Sequence, residues 1–105
     1  MTFFANKMGA KHEIFGRYPS WEFKEDSALQ EIYKKVHKEH FGTDVKVCAI
    51  HAGLECGVFS SKIEDADCIS VGPQLYDVHT VNEKMSISSV EDSFAMLCKT
   101  LSMCK

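Results

Sequence analysis

At 105 residues, 45% of them hydrophobic and 26% charged, the chain suffices for one domain with a modest core and no more. A formal net charge of −3 argues against a nucleic-acid partner or an anionic membrane surface, both of which favour a basic face. Five cysteines, at 48, 56, 68, 98 and 104, are odd in number and form no Cys-x-x-Cys, which fits neither a disulfide framework nor a thiolate zinc site.

No apolar run approaches the roughly 20 residues needed to cross a bilayer. The opening Met1-Thr2-Phe3-Phe4-Ala5-Asn6-Lys7 lacks the charged start and apolar centre of a secretory leader. The expectation is a cytoplasmic protein with reduced cysteines and no membrane contact.

Residues 2–9 read as a short helical lead closed by Gly9, since glycine accepts the left-handed conformation of a helix end. Lys11 to Tyr18, around Ile14 and Phe15, suggests a strand that Gly16 weakens. Tyr18-Pro19-Ser20-Trp21 breaks regular structure, because the residue before a proline is pushed away from helical angles. The single tryptophan is expected to pack this turn against the body of the protein. Asp26 or Ser27 then caps a helix through His40, with Leu29, Ile32, Tyr33, Val36 and His40 on one stripe and Gly42 as its stop. His37 and His40, three apart, read as rim histidines, since no third metal ligand accompanies them.

Val45 to Ile50 is a short apolar run suited to a buried strand that delivers His51 to a loop. Glu55 to Ser61 forms a brief helical turn after Gly53. Asp67 to Val71 is a second central strand, stopped by Gly72-Pro73, and a polar loop from Gln74 to Lys84 follows. Met85 and Ile87 alternate as a brief strand. Ser88 or Ser89 opens the last helix, Ser88-x-x-Glu91 having the spacing of a capping box, and Val90, Phe94, Leu97 and Leu101 mark its buried stripe.

This alternation predicts an α/β fold over residues 1–105, a three-layer-type partial sheet with flanking helices, parallel pairing and right-handed crossovers. Three or four strands make a thin sheet with an unpaired edge and apolar surface, so a homo-oligomer is expected.

The chemistry gathers in two loops at the ends of the predicted strands, where α/β proteins usually hold ligands. His79 has Asp77 two residues before it and Glu83 four after. Imidazole is the commonest protein metal ligand, and a carboxylate often orients it through its second nitrogen. A lone loop histidine is, however, more often structural. In the other loop His51 and Glu55 flank Gly53, where the backbone could approach a ligand closely; a tight turn closed by a capping glutamate explains the same residues. Cys56 has no cationic neighbour in sequence to stabilise a thiolate.

Four strings, Tyr-Pro-Ser-Trp (18–21), His-Ala-Gly-Leu-Glu-Cys-Gly (51–57), Ile-Ser-Val-Gly-Pro (69–73) and His-Thr-Val-Asn-Glu-Lys (79–84), stand in an order and spacing that resembles the C-terminal end of aminoacyl-histidine dipeptidases. These belong to the dinuclear-zinc aminopeptidase and carboxypeptidase superfamily that includes carnosinases and tripeptidases. The resemblance runs from about Gly9 to Leu101. It implies a zinc-dependent hydrolase acting on Xaa-His dipeptides, with His79 as the last zinc ligand; Asp77, Glu83 and Glu55 are the candidate supporting carboxylates by their places in the two loops. By position, His51 and the Gly53 backbone would contact the dipeptide substrate. Ser20 stands where glycine is usual, and Val81-Asn82 where Pro-Asp is common.

The same resemblance implies that the other zinc ligands, the bridging aspartate and the glutamate base lie elsewhere in a longer chain. Two-metal hydrolysis needs a bridging carboxylate, an activated water and a base within reach, and this sequence has neither His-x-Asp nor Glu-Glu. The expectation is the C-terminal segment of a metallopeptidase catalytic domain, without its N-terminal catalytic half and lid, and inactive alone. A non-catalytic α/β association module and a mononuclear metal-binding protein using His79, His51 and carboxylates are the competing readings.

Overall fold

The computed structural model of the chain describes residues 1–50 and 52–104. Its regular structure, in chain order, is α1 (Thr2–Lys7), α2 (Ala28–Phe41), α3 (Glu55–Lys62), β1 (Leu75–Tyr76), β2 (Lys84–Met85) and α4 (Ile87–Met103). The strands β1 and β2 pair antiparallel, Leu75 opposite Met85 and Tyr76 opposite Lys84.

The start of α2 is built twice over. The first N–H groups of a helix have no intrahelical acceptor and must find one elsewhere. Ser27 is the N-cap, and its Oγ accepts from the Gln30 N–H at 2.9 Å. Asp67, forty residues on, accepts from the Ser27 hydroxyl at 2.6 Å and from the Leu29 N–H at 2.9 Å. Gly42, at φ 71°, ends the helix with its N–H on the Lys38 carbonyl, a left-handed stop that favours glycine.

Packing is concentrated where α2 meets α4. Val36 is fully buried, Met96 and Thr100 nearly so, and the Tyr33 hydroxyl lies 3.9 Å from the Met96 sulfur. Burial pushes the Tyr33 phenol up from its ordinary range. His40 Nε2 lies 3.1 Å from Asp92, and Lys99 pairs with Glu39 at 2.7 Å. The hydrogen bond and charge of Lys99 hold the Glu39 carboxyl below its usual value.

The expected α/β sheet is absent among the described residues. The fold is mostly helical with one small antiparallel ladder, not a three-layer sheet with flanking helices. Lys11–Tyr18, Val45–Ile50 and Asp67–Val71 carry no regular secondary structure. Parallel strands are stable when both faces are covered and each backbone has a neighbour 4.7–4.9 Å away. The faces of these runs are not covered. Val47 is 45% exposed and Val71 47%, and a crevice of about 160 Å³ opens between Val45–Cys48 and Cys68–Val71, floored by Trp21 and Phe23.

The last helix also departs from expectation. Its N-cap is Ser86, so Ser88 and Ser89 lie within the first turn and no side chain makes a cap hydrogen bond there. Ser89 is used differently: it accepts from the Gln74 N–H at 2.9 Å and donates to the Ser86 carbonyl at 2.7 Å. Met96 and Thr100 are the buried residues of α4, while Val90, Phe94, Leu97 and Leu101 remain exposed. The apolar stripe is real; it is on the side away from α2.

The surface area gives a measure of this. A compact monomer of 11.8 kDa exposes about 5,900 Å². This chain exposes 9092 Å², an excess of about 3,000 Å² over that scaling. The radius of gyration tells the same story at 18.6 Å, against about 13 Å for a compact domain of this length.

Candidate functional site

His79 sits at the tip of a short, internally bonded hairpin. Between β1 and β2, the Thr80 N–H and hydroxyl both donate to the Asp77 carbonyl, at 3.1 and 2.7 Å. The Asn82 N–H donates to Thr80 Oγ1 at 3.2 Å and the Glu83 N–H to the Thr80 carbonyl at 3.2 Å. At the base of the hairpin the Ser86 N–H donates to the Gln74 carbonyl at 3.0 Å. Together with Ser89 this fastens the hairpin to the first turn of α4.

Two non-glycine residues here adopt the left-handed region, Asp77 at φ 51° and His79 at φ 65°. Most side chains avoid it because Cβ crowds the backbone; aspartate and histidine are among those that tolerate it. Glu83 holds this geometry, its Oε2 accepting the His79 backbone N–H at 3.1 Å. Its contact is therefore with the main chain of His79. Asp77 is 4.0 Å from the Lys84 ammonium. Both expected supporting carboxylates thus shape the loop, and the imidazole is presented to solvent.

The second predicted loop is organised by packing. His51 lies outside the described residues. Gly53 is against the face of Tyr18: a Cβ there would stand 3.4 Å from Tyr18 Cδ1. Glu55 occupies the first turn of α3, where a carboxylate is favoured by the unsatisfied N–H groups and the helix dipole. Gly57, buried in the same helix, leaves room for the Pro19 carbonyl, and an added Cβ would come within 2.8 Å of that oxygen. The strings 18–21 and 52–57 are therefore contact partners, Tyr18 on Gly53 and Pro19 on Gly57. Trp21 itself is 37% exposed and lines crevices without closing them.

Among the described residues no hydrogen bond or ion pair joins the 77–84 loop to the 52–57 loop. No group of three or more histidine, cysteine, aspartate or glutamate side chains gathers there in a way that could hold a metal ion. His37 Nδ1 is 2.9 Å from the Thr43 carbonyl and His40 is engaged by Asp92, so each has its own partner. The donor set of the described residues does not fit a zinc centre by itself, and no catalytic step follows from it.

Two residues with large structural roles were not singled out from sequence. Asp67 has its carboxyl pulled in two directions: partial burial raises its pKa, and the Leu29 N–H, the Ser27 hydroxyl, the Lys24 charge and the Ala28 N–H lower it. The net effect is below the usual range. Gly57 was quoted only as part of a string. Burial pushes the Cys56 thiol up and neighbouring Cys68 adds to it, which keeps Cys56 protonated and unreactive at neutral pH, as its sequence context suggested.

Over 93 residues, 89% of this chain, the sequence is 32% identical to a dipeptidase. That relative is the cytosol non-specific dipeptidase of Escherichia coli (strain K12), and the chain spans only 19% of its length. No family model matches the chain, and no solved structure matches it significantly. No helix among the described residues is long and apolar enough to cross a membrane.

Proposed function

We propose that this chain is the His79-bearing portion of a zinc-dependent dipeptidase, cytoplasmic like the relative it resembles by name. In this reading His79 supplies one ligand to a centre whose other donors, bridging carboxylate and general base come from further polypeptide. The chain alone is then inactive. The observation that carries the reading is the 32% identity to a dipeptidase over 89% of the chain, within which the His79 hairpin is the part held rigidly by its own hydrogen bonds. A ligand on a pre-set loop binds without an added ordering cost.

The preference for Xaa-His dipeptides rests on the sequence resemblance alone, since the relative's name carries no such restriction. His51 and Gly53 keep their proposed place near the substrate, with Gly53 fixed by Tyr18. A non-catalytic association module is the second reading, favoured by the excess surface of about 3,000 Å² over a compact monomer.

A chimera separates the two. This chain would replace the matching 93 residues of the Escherichia coli relative, and hydrolysis of an Xaa-His dipeptide would be followed with added zinc or cobalt. The expected result is turnover by the chimera, its loss in the His79→Ala chimera, and none above a metal-only blank for the 105-residue chain. A folded chimera whose activity survives His79→Ala would overturn the ligand assignment. Turnover by the isolated chain would overturn the requirement for further polypeptide.

A further inference from the structure

Two of the five cysteines meet on one face of α3. The Cys56 thiol donates to the Ile69 carbonyl at 3.9 Å, and the Ser60 hydroxyl donates to the Cys68 sulfur at 3.9 Å. Cys56 and Ser60 are about one helical turn apart, and Cys68 and Ile69 are neighbours in sequence. The Cys68–Ile69 run therefore lies along the side of α3 that carries Cys56. Cys68 is close enough for its charge and its hydrogen bonding to bear on the Cys56 thiol. Both side chains are half-buried, but they differ in access. Cys68 lines the crevice beside Trp21 and Phe23 and a second opening bounded by Ser60, Ser61 and Ala66, whereas Cys56 lines neither. A metal does not account for the pair, since among the described residues no third donor joins it in a group that could hold one.

We propose that Cys56 and Cys68 form an intramolecular disulfide by exchange with a small-molecule disulfide, locking α3 to the Cys68–Ile69 run under oxidising conditions. The order of steps follows from access. The Cys68 thiolate attacks one sulfur of the incoming disulfide, forms a mixed disulfide and releases a first thiolate. Cys56, protonated at neutral pH and lining neither opening, is a poor first nucleophile. The mixed disulfide removes the Cys68 charge that opposed its ionisation, and its target then lies within the same chain. Cys56 gives up its proton to solvent and attacks the Cys68 sulfur, releasing a second thiolate. Two protein thiols are thereby oxidised and one small disulfide is reduced to two thiols, which take up the two protons that the protein loses. The bond joins the first turn of α3, where Gly57 packs on Pro19, to the residue beside Asp67, which holds the start of α2. Oxidation thus ties the α3–Pro19 contact to α2.

The test is incubation of the reduced 105-residue chain with glutathione disulfide, then alkylation of the remaining thiols, cleavage at lysine and glutamate, and mass spectrometry. That cleavage puts Cys48, Cys56 and Cys68 on separate peptides, 47–55, 56–62 and 65–83. The main crosslink should join 56–62 to 65–83 in a chain that stays monomeric on a non-reducing gel. Cys56→Ser should trap the glutathione adduct on Cys68, and Cys68→Ser should lower oxidation of Cys56 at least tenfold, both variants keeping their helical circular dichroism. Amide exchange across α3 should slow on oxidation and recover when the bond is reduced. A crosslink from Cys68 to Cys48, which lines the same crevice, overturns the proposal, as does a crosslink between chains or a glutathione adduct that persists on Cys68 in the wild type. Oxidation of Cys56 that survives Cys68→Ser overturns the order of attack, and a disulfide that leaves α3 exchange unchanged overturns the lock.

Discussion

The hairpin from Gln74 to Ser89 and the pair of apolar runs at 45–50 and 67–71 fare oppositely. The hairpin is polar, largely exposed and nonetheless closed by bonds between residues at most fifteen apart. The runs are apolar and strand-like in composition, yet they form no ladder. Turns, caps and short ladders close with little loop entropy and find partners within their own segment. A parallel strand draws its partners from distant chain and needs a covering layer on each face. Local instructions are obeyed here, and instructions that depend on distant neighbours are not.

The contact between α3 and the 18–20 turn lies between these extremes, because it is long-range yet needs only one glycine. Gly57→Val should have the largest effect of any single change considered. Its Cβ would meet the Pro19 carbonyl, a backbone atom that cannot rotate aside, and overpacking of this kind costs roughly 1–3 kcal/mol. Amide hydrogen exchange would then show α3 losing protection while the hairpin keeps its own, and the Trp21 fluorescence would shift along with α3. If only α3 responds, the two segments are not coupled.

Asp67 sharpens the comparison from the other side, being a residue of the unpaired runs that holds the start of α2 through two hydrogen bonds. Asp67→Ala removes the acceptor from the Leu29 N–H and the Ser27 hydroxyl, and losing a helix cap of this type costs about 1–2 kcal/mol. The pH dependence has a definite sign. The folded pKa lies below the unfolded value near 3.8, so the carboxylate's contribution is complete above that value. It is lost as pH falls through the lower, folded pKa. Urea melts of wild type and Asp67→Ala should differ at neutral pH and converge in strong acid; a constant difference would mean the carboxylate's charge is not what holds α2.

Much of this was legible beforehand. The Ser27 cap, the span of α2, the short helix after Gly53 and the loop position of His79 follow from side chains that act on residues three or four away. What was not legible is which face of an amphipathic helix finds a cover. Periodicity picked out Val90, Phe94, Leu97 and Leu101 correctly as one stripe, but the stripe's partner is not encoded in α4 itself. Likewise the run Asp67–Val71 carries the composition of a strand, while its first residue is bound to a helix forty positions earlier, a pairing that no local pattern announces. The candidate site divides in the same manner. His79 lies in a loop, while the Glu83 carboxylate accepts its backbone N–H and the Asp77 carboxylate lies 4.0 Å from the Lys84 ammonium.

Within the hairpin the effects should be smaller. Glu83→Ala frees the His79 N–H, an exposed hydrogen bond whose net contribution is about 0.5–1.5 kcal/mol, and the His79 amide should exchange faster while Asn82 and Thr80 change little.

The smallest change separates the loop's chemistry from its geometry. At φ 65° His79 carries a strain that glycine would not, of order 1 kcal/mol, partly offset because glycine also loosens the unfolded chain. His79→Gly should therefore leave the hairpin as stable as before or slightly more so, by less than about 1 kcal/mol. His79→Val, β-branched and poorly tolerated at positive φ, should weaken it by about 1–2 kcal/mol. Exchange rates at Thr80, Asn82 and Glu83 in the two variants would read this directly. If glycine is neutral for the hairpin, the imidazole is held at a position that the backbone does not require it to occupy. A strained residue that stability does not explain would then be a candidate for a chemical role.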